Sequence, residues 1–308
     1  MQRRFRIGTR GSKLALIQAH MVAGLVGKAL GLPAEDAAEV VVIKTTGDMV
    51  QDRNLSELGG KGLFTKEIED ALHDGGIDMA VHSMKDMPTQ LPDGLVIDCL
   101  LERADPRDAF LSPKATSIAT LPQGAIVGTS SLRRAAQVKA RRPDVTVVPF
   151  RGNVDTRLRK LADGVADATL LAMAGLTRMD LLDRVTAPLS ADEILPAVAQ
   201  GAIGVERRAG DDETGRILST FHHAETGLRV GAERALLAVL DGSCRTPIAA
   251  LADISGKKLS LRAMILTPDG SEVIETSRNG LASDAVALGV DAGEELKSRA
   301  GPHFFTIS

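Results

Sequence analysis

The sequence is poor in aromatic residues. Its 308 residues include seven Phe but no Tyr and no Trp. Proteins that bind single-stranded nucleic acid without sequence preference stack the bases on aromatic side chains, so this composition disfavours that class. A formal net charge of -3 gives no global attraction for nucleic acid or anionic lipid. Any binding of anions must therefore come from a local cluster of basic residues.

Cysteine and long apolar runs are scarce too. Cys99 and Cys244 are far apart and form no Cys-x-x-Cys pair, which argues against a zinc site or a disulfide framework and favours a reducing compartment. No apolar run approaches the ~18 residues of a membrane span. Arg3-Arg4 resembles the start of a twin-arginine export signal, but polar residues between positions 10 and 20 interrupt the apolar run that such a signal needs. We expect a cytoplasmic protein with no membrane or nucleic-acid partner.

Short apolar runs alternate with amphipathic helical stretches, and this pattern predicts an α/β fold with mostly parallel sheets. In a first α/β region we predict strands and helices at Arg4–Gly8, Ser12–Leu30, Glu39–Thr45, Leu63–His73 and Ile77–His82. In a second region we predict them at Ala125–Thr129, Ser131–Ala140, Val145–Pro149, Val154–Ala162 and Ala168–Met173. The charged, proline-bearing segment Glu102–Asp108 between them is typical of an interdomain crossing.

After Ala224 the pattern changes and predicts a small α+β domain. Its elements are a long helix to about Leu240, strands near Ile248–Ile254, Lys258–Leu266 and Glu272–Arg278, and a final helix near Ser283–Arg299. Upstream, the segment Thr46–Gly62 has no convincing period and exceeds the ~12–15 residues usual for a loop without secondary structure. Such a loop is either functional or disordered. We favour the functional alternative, in which the loop is a mobile flap that covers a site.

Basic residues are concentrated between Ser131 and Lys160, where there are nine against two acidic residues. Arg133 and Arg134 follow Thr129 and Ser131 at the start of a predicted helix, and Arg151 follows the next strand. Strand ends and helix N-termini are where α/β sheets bind anions, and guanidinium groups pair with carboxylates. These positions predict a ligand with several carboxylates or phosphates. The alternative is a solvated basic face, which we favour for Arg141, Arg142 and Arg159.

Two further segments carry candidate chemistry. Asp86 follows the strand that ends at His82, and its neighbour Lys85 favours the ionised carboxylate, which can stabilise a cationic intermediate or move protons. A helix cap or a surface ion pair explains Asp86 equally well, and His82 is interpreted as a core histidine with a satisfied hydrogen bond. Cys244 lies in a glycine-bearing loop beside Arg245, a position that favours the reactive thiolate, whereas Cys99 is expected in the core.

Nucleotide and metal sites are not predicted. Gly59-Gly60-Lys61-Gly62 lacks the spacing of a nucleotide-binding loop. His222 and His223 have no third ligand nearby, so an exposed helix start is the favoured interpretation.

Six segments, taken in order, resemble the porphobilinogen deaminase (hydroxymethylbilane synthase) family over nearly the whole chain. They are Gly8-Thr9-Arg10-Gly11-Ser12-Lys13-Leu14-Ala15-Leu16, Gly60-Lys61-Gly62-Leu63-Phe64, His82-Ser83-Met84-Lys85-Asp86, Val127-Gly128-Thr129-Ser130-Ser131-Leu132-Arg133-Arg134, Arg151-Gly152-Asn153-Val154-Asp155-Thr156-Arg157 and Gly242-Ser243-Cys244. The resemblance implies two α/β domains like the lobes of a periplasmic binding protein and a third, α+β domain. The implied boundaries are 1–101 with a return of the chain at 201–219, then 107–196, then 224–308.

The resemblance also implies an activity, a transferase reaction in haem and tetrapyrrole biosynthesis. Members of the family condense four molecules of porphobilinogen, a pyrrole with acetate and propionate groups, into hydroxymethylbilane and release ammonia. Their cofactor is a dipyrromethane joined to a cysteine by a thioether. We expect a monomer that contains this cofactor and no metal. A non-catalytic, two-lobed anion-binding protein is the alternative.

Individual roles follow from the resemblance as expectations. Asp86 is the expected catalytic residue, which stabilises the cationic azafulvene and assists proton transfer, and Cys244 is the expected cofactor attachment point. The other residues expected to bind the cofactor are Ser83, Lys85, Thr129, Ser131, Arg133, Arg134, Arg151 and Gln200. Those expected to bind substrate are Arg10, Ser12, Phe64, Arg151, Arg157 and Arg178. Gly11, Lys13 and Ser243 depart from the family pattern. These departures affect how far the family's local geometry near Ser12 and Cys244 carries over to this chain.

Overall fold

The computed structural model describes residues 3–46, 65–240, 246–301 and 304. It divides the chain into two compact units. The first unit contains Met1–Ala104 and Ala202–Gly227, and the second contains Asp105–Gly201 and Leu228–Ser308.

The helices and strands of the described residues follow one another in an α/β order. In chain order they are β1 Phe5–Thr9, α1 Lys13–Leu30, α2 Ala34–Ala37, β2 Ala38–Val42, α3 Lys66–His73, β3 Met79–Ser83, β4 Leu95–Leu100, β5 Asp108–Leu111, β6 Ile126–Gly128, α4 Leu132–Arg141, β7 Thr146–Val148, α5 Val154–Ala162, β8 Ala168–Ala172, α6 Met173–Arg178, β9 Ala187–Pro188, β10 Ile203–Arg208, α7 Asp212–Ser219, α8 Ala224–Val239, β11 Ile248–Ser255, β12 Lys258–Leu266, β13 Val273–Leu281 and α9 Ala285–Ala300.

The first unit is built on one five-stranded sheet with the order β2-β1-β3-β10-β4. Strand β1 is parallel to both β2 and β3, whereas β10 is antiparallel to β3 and β4. The chain therefore leaves this sheet after β4 and returns to it at β10. Because the chain order of the strands reverses between β1 and β3, the carboxyl ends of these two strands flank the point where such sheets bind ligands.

Helices α1 and α3 belong to different hydrophobic clusters of this sheet. Ala19, Val22 and Val26 of α1 pack with Ile7 and Val205 in a fully buried cluster. By length and composition alone α1 is apolar enough to cross a membrane. Its packing against the sheet explains the apolar residues instead, because they are those of a core helix. Ser12 begins α1 as its N-cap, and Gly31 ends it in the left-handed conformation (φ 68°) that glycine adopts most easily.

The second unit contains two sheets. One has the order β7-β6-β8-β5-β9, with β6 parallel to β7 and β8 and with β5 antiparallel to β8 and β9. The other is the antiparallel sheet β11-β12-β13. Ala136 of α4 and Leu195 pack in one cluster with Ala249, Met264 and Leu266 of the third sheet. The α+β region is thus packed against the second α/β region within this unit.

The predicted α/β fold class is confirmed, with two five-stranded sheets of mixed parallel and antiparallel strands and a small α+β region. The ends of most predicted elements differ from the observed ends by a residue or two. Several short elements were not predicted, among them β5, β9 and β10. Strand β10 carries Glu206, Arg207 and Arg208, so its sequence lacks the apolar run that marks a buried strand. The division into three domains stays a prediction, since the structure groups the second and third regions into one unit.

Candidate active site

A cavity of about 80 Å³ lies at the carboxyl ends of β1 and β3 in the first unit. Arg10 and Ser12 come directly after β1, Ser83 ends β3, and Asp86 ends the single 3-10 turn that follows. The residues that line the cavity are Arg10, Ser12, Leu14, Ala15, Gln18, Thr65, Val81, His82, Ser83, Asp86 and Met87. Three of the substrate- or cofactor-binding residues predicted from the sequence and the predicted catalytic residue therefore share one cavity.

Two hydroxyl groups of this cavity are held by helix α1. The Ser12 hydroxyl accepts a hydrogen bond from the Ala15 N–H at 3.3 Å, which caps the helix. Gln18 and Ser83 exchange hydrogen bonds, with 3.0 Å from Gln18 Nε2 to Ser83 Oγ and 3.2 Å from Ser83 Oγ to Gln18 Oε1. Gln18 was not predicted from the sequence. Its position on the buried side of α1, near the start of the helix, is the feature that could have indicated it. These contacts fix the start of α1 against the end of β3.

Asp86 is exposed, in contrast to its neighbours Met84 and Met87, which are buried. Its carboxylate makes no hydrogen bond or ion pair with any other residue in the described ranges, so neither a helix cap nor a surface ion pair is seen there. The turn that carries it is fixed by the backbone hydrogen bond from Met84 N–H to the Ala202 carbonyl oxygen (3.0 Å). Asp86 therefore presents a negative charge to the cavity from a well-anchored turn.

The arginine pair of the second unit is buried, so the solvated-face alternative is wrong for Arg133 and Arg134, which are 4% and 5% exposed. Arg133 Nη2 is 2.8 Å from one oxygen of Asp108, and Arg134 Nη2 is 2.7 Å from the other. Each guanidinium also donates to a backbone carbonyl, of Leu195 (2.7 Å) or of Leu170 (2.9 Å). One carboxylate is thus shared by two cations, and the cluster has a net positive charge.

Asp108 was not predicted as a site residue. Burial alone would raise the pKa of its carboxyl, but the charges of Arg133 and Arg134 and a hydrogen bond from Gln200 outweigh burial and hold that pKa well below its usual range. Gln200 Nε2 lies 2.9 Å from Asp108 Oδ1 and 2.7 Å from the Pro106 carbonyl oxygen. The predicted cofactor residues Arg133, Arg134 and Gln200 therefore meet at one buried carboxylate.

The turn that carries Gln200 is held from several sides. Ala199 and Gly201 both have positive φ (58° and 90°), a conformation that costs energy for alanine. A carboxylate oxygen of the buried Glu233 of α8 accepts from the Ala199 N–H at 2.6 Å. Arg178 Nη2 donates to the Gly201 carbonyl oxygen at 2.7 Å, and burial lowers the pKa of Arg178 to about 10. Arg178, predicted to bind substrate, thus contacts the protein's own backbone.

The remaining anion-binding candidates of the second unit stand at strand ends, as predicted. Thr129 follows β6, and its hydroxyl accepts from the Ser131 N–H at 3.2 Å. Ser131 caps α4 by accepting from the Arg134 N–H at 3.4 Å. Arg151 and Arg157 flank the start of α5, both partly exposed, and Arg157 Nε donates to the Gly152 carbonyl oxygen at 2.9 Å.

Some expectations were wrong, and others lie outside the described residues. Arg142 does not belong to a solvated face, because its guanidinium bonds Asp144 and backbone carbonyls of residues 118–122. His222 and His223 accept hydrogen bonds from the backbone N–H groups of Leu100 and Thr226, so they join the start of α8 to its surroundings. Lys85, which precedes Asp86, is partly exposed. Phe64, Cys244 and residues 47–62 of the predicted flap are outside the described residues.

These features define a class: a binding-protein type of α/β fold in which one sheet presents a carboxylate and another buries an arginine pair, each beside strand ends. Family models for "porphobilinogen deaminase, dipyromethane cofactor binding domain" and "porphobilinogen deaminase, C-terminal domain" match residues 5–216 and 227–298. The chain belongs to the porphobilinogen deaminase family. It is an enzyme of tetrapyrrole synthesis, its substrate is porphobilinogen, and residues 5–216 match the region that binds the dipyrromethane cofactor.

Curated relatives are similar over nearly the full chain. The porphobilinogen deaminase of Paracoccus denitrificans is 61% identical over 307 residues, with 100% of this chain and 98% of the relative covered. The chloroplastic enzyme of Oryza sativa is 55% identical (97% and 85% covered), and the enzyme of Nitrobacter hamburgensis is 53% identical (98% and 95% covered).

Solved structures of binding proteins are more distant. The methionine-binding protein MetQ matches with a TM-score of 0.46 at 14% identity, covering 70% of this chain and 89% of that one. A nutrient-binding protein from Burkholderia cenocepacia matches with a TM-score of 0.44 at 14% identity, covering 72% and 93%. The fold assignment rests on the strand order and not on these similarities.

The residues of the second unit fit a dipyrromethane, whose side chains are carboxylates. The buried cluster has two guanidinium groups against one carboxylate. Nε of Arg133 and Nε of Arg134 are buried without a hydrogen-bond partner among the described residues. Buried donors of this kind normally find an acceptor, and Ser131 and Thr129 start a helix beside them. An acidic ligand bound beside the cluster would supply the missing negative charge.

Proposed function

We propose that this enzyme is a transferase that condenses four molecules of porphobilinogen, one after another, into hydroxymethylbilane and releases one ammonia per addition. The observation that carries the proposal is the Asp86 carboxylate, which has no partner among the described residues and lines a cavity with Arg10 and Ser12. Each addition passes through a substrate pyrrole with developing positive charge. A fixed carboxylate at this point stabilises such charge and can accept the proton that the new bond displaces.

Acidic side chains of the substrate require cationic partners in the same region. Arg10 lines the cavity with Asp86 and Ser12, and its guanidinium suits a paired hydrogen bond to a carboxylate. We assign the acetate and propionate groups of the substrate to Arg10, Ser12, Arg151, Arg157 and Arg178, and those of the cofactor to Ser83, Lys85, Thr129, Ser131, Arg133, Arg134, Arg151 and Gln200. Phe64 is assigned an apolar contact that covers the substrate. A substrate carboxylate bound by Arg10 and Ser12 would lie in the same cavity as Asp86.

The cofactor is assigned to Cys244 through a thioether. The chain has two cysteines, and the other one is unsuitable: Cys99 is 1% exposed and burial raises the pKa of its thiol to about 12. Since the thiolate is the reactive form, Cys99 stays inert near neutral pH. When bound, the dipyrromethane supplies the pyrrole end to which the first substrate is joined. Cys244 follows α8, whose Glu233 is bonded to the turn that carries Gln200.

The stoichiometry of the reaction tests the proposed function. Purified enzyme is incubated with porphobilinogen, and the substrate consumed, the ammonia released and the hydroxymethylbilane formed are quantified together. We expect four substrate molecules and four ammonia molecules for each tetrapyrrole. Binding of porphobilinogen without release of ammonia would instead support the non-catalytic anion-binding protein. We also propose a monomer in the cytosol, which light scattering and cell fractionation check.

A further inference from the structure

The first sheet carries buried ionisable groups on the side that faces α3. Ala80 packs with Ile68 and Leu72 of α3 in a hydrophobic cluster. Glu206 is directly opposite Ala80 in the register of β3 and β10, and His82 is two residues beyond Ala80, so both side chains are on this face. His82 is 6% exposed and Glu206 is 0% exposed. Their Nε2 and Oε2 atoms are 2.9 Å apart, which is a hydrogen bond.

A second carboxyl group, that of Glu69 on α3, is buried in the same region and is 8% exposed. Burial raises the pKa of Glu69 and the charge of Glu206 adds to this effect, while Thr65 and His82 act in the opposite direction without cancelling it. Within the described residues, Oε1 of Glu69 and Oε1 of Glu206 are buried without a hydrogen-bond partner. Two buried carboxylates that feel each other's charge are costly when both are ionised. Glu69 therefore holds its proton more firmly than an exposed glutamate would. Glu69, Glu206 and His82 are here named the buried triad.

The charged neighbours of the buried triad are engaged with one another. On α3, Lys66 pairs with Asp70 at an exposed position (2.6 Å), and Glu67 accepts a hydrogen bond from the backbone N–H at position 46 (2.9 Å). On the adjacent strands, Asp98 of β4 pairs with Arg207 of β10. Among the described residues, no basic side chain other than His82 is recorded in contact with the two carboxyl groups. Within the described ranges, His82 is thus the basic group that is bonded to a carboxylate of the triad.

The buried triad adjoins the proposed site through His82. This residue lines the cavity that also contains Arg10 and Asp86. Ser83 follows it as the last residue of β3, and the 3-10 turn to Asp86 comes next. His82 and Asp86 are therefore four residues apart on one continuous segment of strand and turn. Displacement of a reacting group by about 1 Å is enough to lower a rate on the order of a hundredfold.

We propose that the buried triad positions the turn that carries Asp86, and that loss of its proton as the pH rises lowers the turnover number. Glu69, Glu206 and His82 are positioning residues in this proposal, which rests on the function proposed above. When Glu69 ionises, its charge faces that of Glu206 in a low-dielectric region. The repulsion moves α3 and the end of β3 apart, and Asp86 leaves its productive position.

The test is the pH dependence of porphobilinogen consumption by cofactor-loaded enzyme, with kcat and KM measured separately. We expect the wild-type kcat to decline on the alkaline side and Glu69→Gln to remove that decline, with an advantage of about fivefold at the alkaline end and none at the acidic end. Glu206→Gln is expected to remove it as well, because the repulsion needs both charges. The double variant should then resemble either single variant. KM should change by less than about twofold in each case.

Asp70→Asn is the matched control, since it removes one exposed carboxylate from the same helix. Because the charge of Asp70 is the smallest of the effects on the pKa of Glu69, its pH profile should stay close to that of the wild type. Loading with cofactor is verified by intact mass before each assay. Thermal unfolding gives a readout that does not need turnover: Glu69→Gln should raise the Tm progressively as the pH rises and should have no effect in acid.

Superimposable kcat profiles for wild type and Glu69→Gln would overturn the proposal, as would an equal change in Asp70→Asn. A change confined to KM would point to substrate binding and would also contradict a positioning role. If no sample consumed porphobilinogen, the proposed function would fail. The Tm series would still show whether the ionisation of the buried Glu69 destabilises the fold, so the two failures are distinguishable.

Discussion

The two units of this protein use charge in opposite ways. In the first, Asp86 is exposed and has no partner among the described residues, and it lines a cavity. In the second, Asp108 is fully buried and is bonded by Arg133, Arg134 and Gln200. A carboxylate that stabilises charge developing in a substrate has to be unpaired beforehand. A carboxylate that holds cations in place instead needs all its hydrogen bonds and ion pairs to be made. We infer that the first unit supplies the chemistry and the second supplies a preformed anion site.

The largest effect is expected for Asp86→Asn. The amide keeps the size of the side chain but cannot balance a cation, so turnover should fall by a factor on the order of a thousand or more. Single-turnover assays with porphobilinogen measure this loss. The exposed position of Asp86 predicts an unchanged Tm. Turnover within about twofold of the wild type would remove Asp86 from the catalytic role.

A stability loss of about 3–5 kcal/mol is expected for Asp108→Asn, because it leaves two buried guanidinium groups without an anion. Urea unfolding near neutral pH measures it. The folded-state pKa of Asp108 is depressed, so its contribution is present above the ordinary Asp pKa and is lost as the pH falls through the folded value. The difference from wild type should therefore narrow in acid.

Asp144→Asn is the control for that measurement. Asp144 forms an exposed pair with Arg142 (2.7 Å), and exposed pairs contribute about 0–1 kcal/mol. Equal losses in the two variants would show that burial is not what distinguishes the Asp108 cluster.

A smaller effect is expected for Arg151→Ala. If Arg151 holds a ligand carboxylate, the lost hydrogen bonds are each worth about 1.5–3 kcal/mol, and KM for porphobilinogen or the extent of cofactor loading should worsen by about tenfold or more. Steady-state kinetics and intact mass measure the two quantities. Arg159→Ala, which removes an exposed arginine of helix α5, shortly after Arg151 in the chain, should leave both unchanged. Similar effects in both variants would favour a solvated basic face.

The sequence was sufficient for features that depend on local pattern. Strand β1, helix α1 and strand β3 follow from apolar periodicity, and their ends place Arg10, Ser12 and Asp86 at one edge of the sheet. Ser131 as an N-cap follows from its position before an amphipathic stretch. These predictions needed no contact between distant parts of the chain.

Contacts between segments that are distant in the chain could not be predicted from the sequence. Asp108 meets Arg133 and Arg134 because β5 pairs antiparallel with β8 beside β6, which no local pattern encodes. Glu206 was missed because a buried carboxylate in a strand is tolerated only with a partner, and that partner, His82, is 124 residues away. The strand ends could be predicted from the sequence, but the pairing of the buried charged groups next to them could not.

The central claim is that an acidic cofactor is tethered at Cys244 and charge-matched by the arginines of the second unit. The most direct test is the intact mass of denatured wild type, Cys244→Ser and Cys99→Ser. We expect an added mass of two pyrrole units in wild type and in Cys99→Ser, and none in Cys244→Ser. The bare chain mass in a wild-type sample that consumes porphobilinogen, or an adduct that survives in Cys244→Ser, would contradict it.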